Sequence, residues 1–315
     1  MQNPMILPVS GTSALAPAPS LPSLFNRWTA YLDAPQKTVE TYTRNIRQFA
    51  SYLSMHGETT PTRDTVISFR EHLEEEGKKA TTIQGYMAAV KLFFRWTEQE
   101  GLYPNIADHV KGAKLDVEHK KDPLTAGQTK KLLAAIDRST VRGARDYAVL
   151  SLMVTTGLRT VSVCNANVGD FRVSGDASVL YYKGKGHDEK AVYVKIAPPV
   201  EKAIREYLSM RGEIDRADPL FASEANRNAG QRMTTRSVSR LAKEHMIDVG
   251  LNSDRLTAHS LRHTAATLNL LAGGTPEETQ QMLGHKNINT TLIYSHALER
   301  AKNESENRIA ASVFG

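Results

Sequence analysis

The chain has 315 residues, 40% of them hydrophobic and 23% charged, with a formal net charge of +6. Such a composition describes an ordinary globular protein long enough for two domains, and the mild basicity suits a polyanionic partner such as DNA. No apolar run approaches the ~20 residues of a membrane span, the N-terminus lacks the basic-then-apolar pattern of a secretory signal, and a single cysteine, Cys164, excludes internal disulfides and thiolate zinc clusters. These exclusions place the expected protein in the cytoplasm, with no membrane association.

Residues 1–20, rich in Pro, Ala and Ser, read as a flexible tail. A short helix over Leu24–Leu32 opens a first, all-helical domain spanning 21–112. Thr38 is expected to cap a second helix with Val39, Tyr42, Ile46, Phe49 and Leu53 on its apolar face and Thr41, Arg44, Asn45 and Gln48 opposite. Thr62 starts a third helix, which ends at Gly77. A fourth begins near Thr81 and buries Ile83, Tyr86, Met87, Val90, Phe93 and Phe94. Its polar side carries Thr82, Gln84, Lys91 and Arg95. Small hydroxyl and amide groups mixed with Arg and Lys can approach a DNA groove, where acidic chains would repel phosphate, so Thr41, Arg44, Thr82, Gln84, Lys91 and Arg95 are candidate DNA contacts.

The charged stretch 113–123, AKLDVEHKKDP, is the natural linker, leaving 124–315 as a second domain. Helices are expected over Thr125–Ile136 and Arg145–Val154, the latter ended by Gly157 in the run TTGLRTVSV. A β-hairpin follows, with strands at 179–182 and 191–194 and a glycine turn that carries Lys185. Two more helices, Pro199–Met210 and Thr235–Met246, come next; Arg236, Arg240 and Lys243 give the second a basic side and join the candidate DNA contacts. Thr257 caps a helix that sets His259 and Arg262 one turn apart near its N-terminus, where free N–H groups favour an anion. Pro276 opens a helix that stops at Gly284, just before His285, and Thr290 and Thr291 begin the helix that carries Tyr294.

The stretch Leu256–His296 therefore gathers the imidazoles of His259 and His285, the guanidinium of Arg262 and the phenol of Tyr294. That set suits chemistry on a phosphate: arginine matches paired oxygens, imidazole moves protons near neutral pH, and tyrosine can become a covalent nucleophile. No G-x-x-x-x-G-K-[ST] loop or carboxylate cluster is present, so no ATP site, cofactor or metal is expected.

TGLR at 156–159, the GKG turn at 184–186, HSLRH at 259–263, LGH at 283–285 and Tyr294, in that order, resemble the tyrosine recombinase (phage integrase) family, closest to its Xer-like two-domain branch. The resemblance covers nearly everything from residue 21 onward. It implies a mainly α fold: an N-terminal helical, SAM-like DNA-binding domain, then a mixed α catalytic domain with a small β-sheet or hairpin. It also implies site-specific cutting and rejoining of double-stranded DNA through a 3′-phosphotyrosine and a Holliday junction, for mobile-element integration or excision or for dimer resolution. By that resemblance Arg159 and Arg262 clamp the scissile phosphate, Tyr294 attacks it, Lys185 protonates the leaving 5′-oxygen, His259 accepts the tyrosine proton and His285 positions the phosphate.

The implied assembly is a homotetramer on two duplexes, monomeric or dimeric in solution, with an accessory DNA-bending protein. The apolar marks Leu298, Ile309 and Val313 of the C-terminal helix would serve either docking on a neighbouring subunit, as such tails often do in the family, or packing in cis. One position departs from the pattern. Ser162 stands where the family usually has an acid three residues after the first arginine, with Asp170 the next carboxylate along the chain. The competing readings are a type IB topoisomerase that relaxes supercoils and a DNA-binding protein with weakened catalysis.

Overall fold

The computed structural model describes residues 21–114, 121–184 and 189–314. The expected tail at 1–20, part of the expected linker and Lys185 lie outside the described residues. The chain divides into two compact units, Met1–Glu118 and His119–Gly315.

The first unit is built from α1 (Leu21–Tyr31), α2 (Gln36–Met55), α3 (Arg63–Glu75) and α4 (Ala80–Gln99). Their apolar stripes meet in an aromatic core. Trp28 packs edge-on to Phe93 at 5.5 Å, and Phe49 does the same to Phe69 and Phe94 at 5.1 and 5.8 Å. Thr62 caps α3 with a reciprocal hydroxyl–backbone pair involving Thr65, as the sequence predicts.

Three readings change here. Helix α2 starts at Gln36 behind Pro35, whose carbonyl takes the first N–H bonds, so Thr38 lies inside the first turn and not at the cap. Asn45, assigned to the polar face, is 7% exposed and donates its amide to the Gly85 carbonyl at 3.0 Å, stitching α2 to α4. Gln84 is half-buried and donates to the Ala113 carbonyl at 2.7 Å, which fixes the chain leaving α4.

The expected linker shrinks at both ends. Ala113 belongs to the first core, while Lys121 donates to the Asp254 carbonyl and Asp122 pairs with Arg255 at 2.8 Å within the second unit.

The second unit comprises α5 (Ala126–Ala134), α6 (Val141–Thr156), α7 (Thr160–Asn165), α8 (Pro198–Arg211), α9 (Thr235–Asp248), α10 (Ala258–Leu271), α11 (Pro276–Leu283), α12 (Asn289–Lys302) and α13 (Ser305–Phe314), together with a small sheet. Helix α6 is the axle, packed against α8 and α10 and buried over most of its length. The sheet has three antiparallel strands in the order β1 (Phe171–Ser174), β2 (Ala177–Tyr182) and β3 (Val192–Lys195). Tyr182 pairs with Val192 and Leu180 with Val194, so β2 and β3 form the predicted hairpin.

Strand β1 is an addition. It pairs Ser174 with Ala177 across Gly175 and Asp176, and Gly175 takes the positive φ of 60° that a two-residue hairpin turn requires. The sequence carried that Gly-Asp signal, but β1 is largely exposed and lacks the apolar alternation by which strands are usually read. At the far end, the single expected C-terminal helix is two. Asn303 breaks it, its side-chain oxygen accepting from the Ser305 N–H at 2.8 Å, and α13 leaves Ile309, Val313 and Phe314 exposed. No helix among the described residues is long and apolar enough to cross a membrane.

Candidate active site

Two left-handed glycines set the site's walls. Gly157 ends α6 with φ 63°, and Gly284 ends α11 with φ 62°. Each turn throws the next functional side chain into place: Arg159, the N-cap of α7, after the first, and His285 directly after the second. A Cβ on Gly157 would sit 2.3 Å from the Leu283 Cδ2 and 3.3 Å from the Ala265 Cβ, so the α6–α7 turn needs glycine for space as well as for conformation.

Arg262 lies between these turns on α10 and is 4% exposed. Its Nη1 donates to the Gly157 carbonyl at 2.5 Å and its Nη2 to the Leu283 carbonyl at 2.7 Å. Burial, reinforced by the charge of Arg159, pushes its pKa down to about 10, which still leaves it cationic at neutral pH. Arg159 is half-buried, and among the described residues its guanidinium has no hydrogen-bond or ion-pair partner. One arginine is thus held rigidly by the fold while the other stands open to an anion.

The two histidines are driven towards neutrality. His259, in the first turn of α10, has its pKa lowered by desolvation and then by Arg262, Arg159 and Lys121, although its residue surface is still solvent-accessible. His285 is pushed down to about 4, again by desolvation first and then by Arg262, Arg159 and His259. Its Nδ1 lies 2.8 Å from the hydroxyl of fully buried Thr291.

Tyr294, on α12, is 8% exposed. Desolvation raises its pKa, opposed by Arg262 and Arg159, so the phenol keeps its proton at neutral pH unless a base takes it. Its ring packs edge-on to His263 at 5.2 Å, and His263 packs edge-on to His259 at 4.7 Å.

The structure therefore brings Arg159, His259, Arg262, His285 and Tyr294 into one electrostatic neighbourhood. A cavity of about 300 Å³ opens between Arg159, His259 and Arg262. Lys185 cannot be placed, because it lies outside the described residues.

His263 has a packing part, its ring lying between those of Tyr294 and His259. Two residues escaped the reading of the sequence. Thr291 is a hydroxyl six residues after His285, a pattern with no signature of its own. Tyr182 reads as a strand residue but shares the neighbourhood of both arginines.

Ser162 is 7% exposed, and among the described residues its hydroxyl has no hydrogen-bond partner. Asp170 does not take over the missing acid's place. Its carboxylate accepts from Lys190 and from the Asn167 N–H, on the far side of α7 in the chain.

The candidate DNA contacts divide. Arg44, Thr82, Arg95, Arg236 and Arg240 are exposed. Thr41 and Lys91 are half-buried, and the Thr41 hydroxyl bonds back to the Lys37 carbonyl. Lys243 departs from the expectation: its ammonium donates to the Ser253 carbonyl at 2.7 Å and the Leu256 carbonyl at 3.4 Å, clamping the loop that enters α10. Together with Gln84, it is a cation or amide committed to the fold.

Residues 123–300 match the Phage integrase family, and residues 25–101 match the family described as "Phage integrase, N-terminal SAM-like domain". The chain belongs to the phage integrase family. A tyrosine recombinase XerC from Herpetosiphon aurantiacus is 30% identical over 268 residues, covering 82% of this chain and 84% of the relative. Among solved structures, the XerH recombinase bound to a palindromic difH substrate superposes with a TM-score of 0.70 at 22% identity, over 93% of this chain and 84% of that one. A lambda integrase tetramer bound to a Holliday junction gives 0.67 at 21% identity, over 87% and 76%. At those identities the structural likeness establishes the fold: mainly helical, with a small antiparallel sheet. As a member of this family the chain is a tyrosine recombinase, an enzyme of site-specific DNA recombination.

Proposed function

We propose that the residues gathered around Arg262 carry out recombination by cutting one DNA strand at a time and holding the end covalently. Tyr294 attacks the phosphorus in line; a 3′-phosphotyrosine forms and the 5′-oxygen leaves. The phosphotyrosine keeps the energy of the broken ester, so rejoining to a partner strand needs no nucleotide. Arg159 and Arg262 bind the non-bridging oxygens and stabilise the charge that grows in the transition state. His259, kept neutral by its surroundings, accepts the phenolic proton, and neutral His285 donates a hydrogen bond to the phosphate. Lys185 is the acid that protonates the leaving 5′-oxygen.

The observation that carries this reading is the pair of arginines whose charges both bear on Tyr294, one tied down by backbone carbonyls and the other without a side-chain partner among the described residues. The substrate is double-stranded DNA at a specific site, and Arg44, Thr82, Arg95, Arg236 and Arg240 are the exposed side chains offered for contact with it. The working assembly is a homotetramer on two duplexes, monomeric or dimeric before it meets DNA, with an accessory DNA-bending protein. The likeness to the lambda integrase tetramer supports the tetramer, and the exposed apolar edge of α13 offers a surface for a neighbouring subunit. The XerC and XerD relatives favour recombination over topoisomerase-type relaxation.

A nicked DNA duplex carrying the recognition site, whose short downstream strand diffuses away after cleavage, tests the assignment. Wild-type protein should leave a covalent adduct on a denaturing gel and Tyr294→Phe should leave none. No adduct with wild type, or an adduct retained by the variant, would overturn it.

A further inference from the structure

Tyr182 is the last residue of β2, on the face of the sheet turned towards the core, and it is 6% exposed. Among the described residues its hydroxyl has no hydrogen-bond partner, yet that oxygen is not among the buried atoms sealed from solvent. A tyrosine this deeply buried normally finds a partner for its O–H. Where the hydroxyl sits explains the exception. It lies 3.0 Å from where a Cβ on Gly284 would be, in the turn that delivers His285. The charges of Arg262 and Arg159 both act on it, as they do on Tyr294.

Arg262 commits one N–H from each Nη to the carbonyls of Gly157 and Leu283, leaving three of the five donors of a guanidinium for a ligand.

We propose that Tyr182 is a further catalytic residue, its hydroxyl donating a hydrogen bond to a non-bridging oxygen of the scissile phosphate beside the two arginines. The inference rests on the assignment of the neighbourhood of Arg159 and Arg262 as the phosphate site. Gly284 then has a second purpose: any larger residue would press its side chain against the Tyr182 hydroxyl and displace it from the phosphate. The donor stays neutral throughout. It shares the growing negative charge without taking or giving up a proton, and no second covalent adduct forms.

The test is single-turnover cleavage of the nicked duplex at saturating protein, comparing wild type with Tyr182→Phe. The ring and its packing are kept and one hydroxyl is lost, so melting temperature and DNA affinity should hold while cleavage slows by about tenfold or more, the value of one hydrogen bond to a charged acceptor. Substrates with sulfur replacing one or the other non-bridging oxygen locate the contact, since sulfur accepts hydrogen bonds poorly. With one diastereomer the penalty of the variant should shrink to about twofold, and with the other it should persist. Cleavage by Tyr182→Phe at the wild-type rate, or an equal penalty with both diastereomers, would overturn the proposal. Failure of wild type itself to form the adduct would instead overturn the assignment of the phosphate site.

Discussion

The guanidinium of Arg262 donates to the carbonyl of Leu283, 2.7 Å away and 21 residues further along the chain, while its other arm holds Gly157. One buried cation thus closes the ends of two helices, α6 and α11, and satisfies carbonyls that helix termini leave open. The arginine proposed to clamp the phosphate is also a structural keystone, so its orientation is set before any phosphate arrives. The consequence falls first on Gly157. Gly157→Ala puts a Cβ into left-handed backbone and against Leu283, at a cost of about 1–2 kcal/mol for conformation and a further 1–3 kcal/mol for overpacking. A clear drop in melting temperature is expected, together with loss of cleavage, because relief of the clash moves Leu283 away from Arg262. A variant that melts and cleaves as wild type does would contradict the coupling.

The Thr291 hydroxyl, 2.8 Å from Nδ1, is predicted to set the tautomer of His285. A hydroxyl donating to Nδ1 leaves the hydrogen of a neutral imidazole on Nε2, the form that can donate to phosphate. Thr291→Val keeps the shape and removes the donor. Single-turnover cleavage should fall about tenfold, in line with a hydrogen bond worth ~1–1.5 kcal/mol, with DNA affinity unchanged. Thr291→Ser should restore most of the rate. Equal rates for the valine and serine variants would show that the hydroxyl does not matter.

Acid should weaken the protein through the same histidine. His285 falls from an ordinary 6.5 to about 4 in the folded state, so the unfolded chain binds the extra proton first. Its stabilising contribution is complete above about pH 6.5 and is lost as the pH falls through about 4. His259, lowered in the same direction, adds to the loss. Thermal melting followed from pH 7 to pH 4 should show a steeper decline for wild type than for His285→Asn. Parallel curves would mean that the imidazole is not held neutral.

Ser162 tests how much the departure from the family pattern matters. Its hydroxyl has no hydrogen-bond partner among the described residues, and Asp170 is occupied with Lys190. Ser162→Ala should therefore cleave within about twofold of wild type, since no net hydrogen bond is removed. A tenfold loss would reveal a part for the hydroxyl in steadying Arg159.

The site was more legible in the sequence than its surroundings were. Gly157, Gly284 and Pro276 announce turns and helix starts through backbone chemistry alone, which sets Arg159 and His285 just after turns, while their grouping with Tyr294 comes from the resemblance to the recombinase family. Side-chain commitments are different. Asn45, Gln84 and Lys243 carry the same polar groups whether they face DNA or a neighbouring carbonyl, and only the fold decides which. Strand β1 was missed for a related reason, because a strand with little buried surface has no apolar alternation to betray it. Tyr182 shows the limit most clearly. Its period in β2 predicts an inward ring, but nothing in the pattern says that the ring ends beside two arginines.

The basic side of α9 offers the sharpest separation between a cation that binds DNA and one that builds the protein. Arg236 and Arg240 are exposed, the latter only loosely paired with Glu244 at 3.6 Å, whereas Lys243 is anchored to two carbonyls ahead of α10. If the exposed arginines meet phosphates, each alanine substitution removes one released counterion and should flatten the dependence of log affinity on log salt by about one. Lys243→Met keeps the length of the stem but leaves the Ser253 and Leu256 carbonyls without their charged donor, a loss of about 1–3 kcal/mol. Its melting temperature should fall while its salt slope stays at the wild-type value. Because those carbonyls lead into the turn that carries His259, cleavage should suffer more than binding. A reduced salt slope for Lys243→Met, or an unchanged one for both arginine variants, would reverse the assignment of roles along this helix.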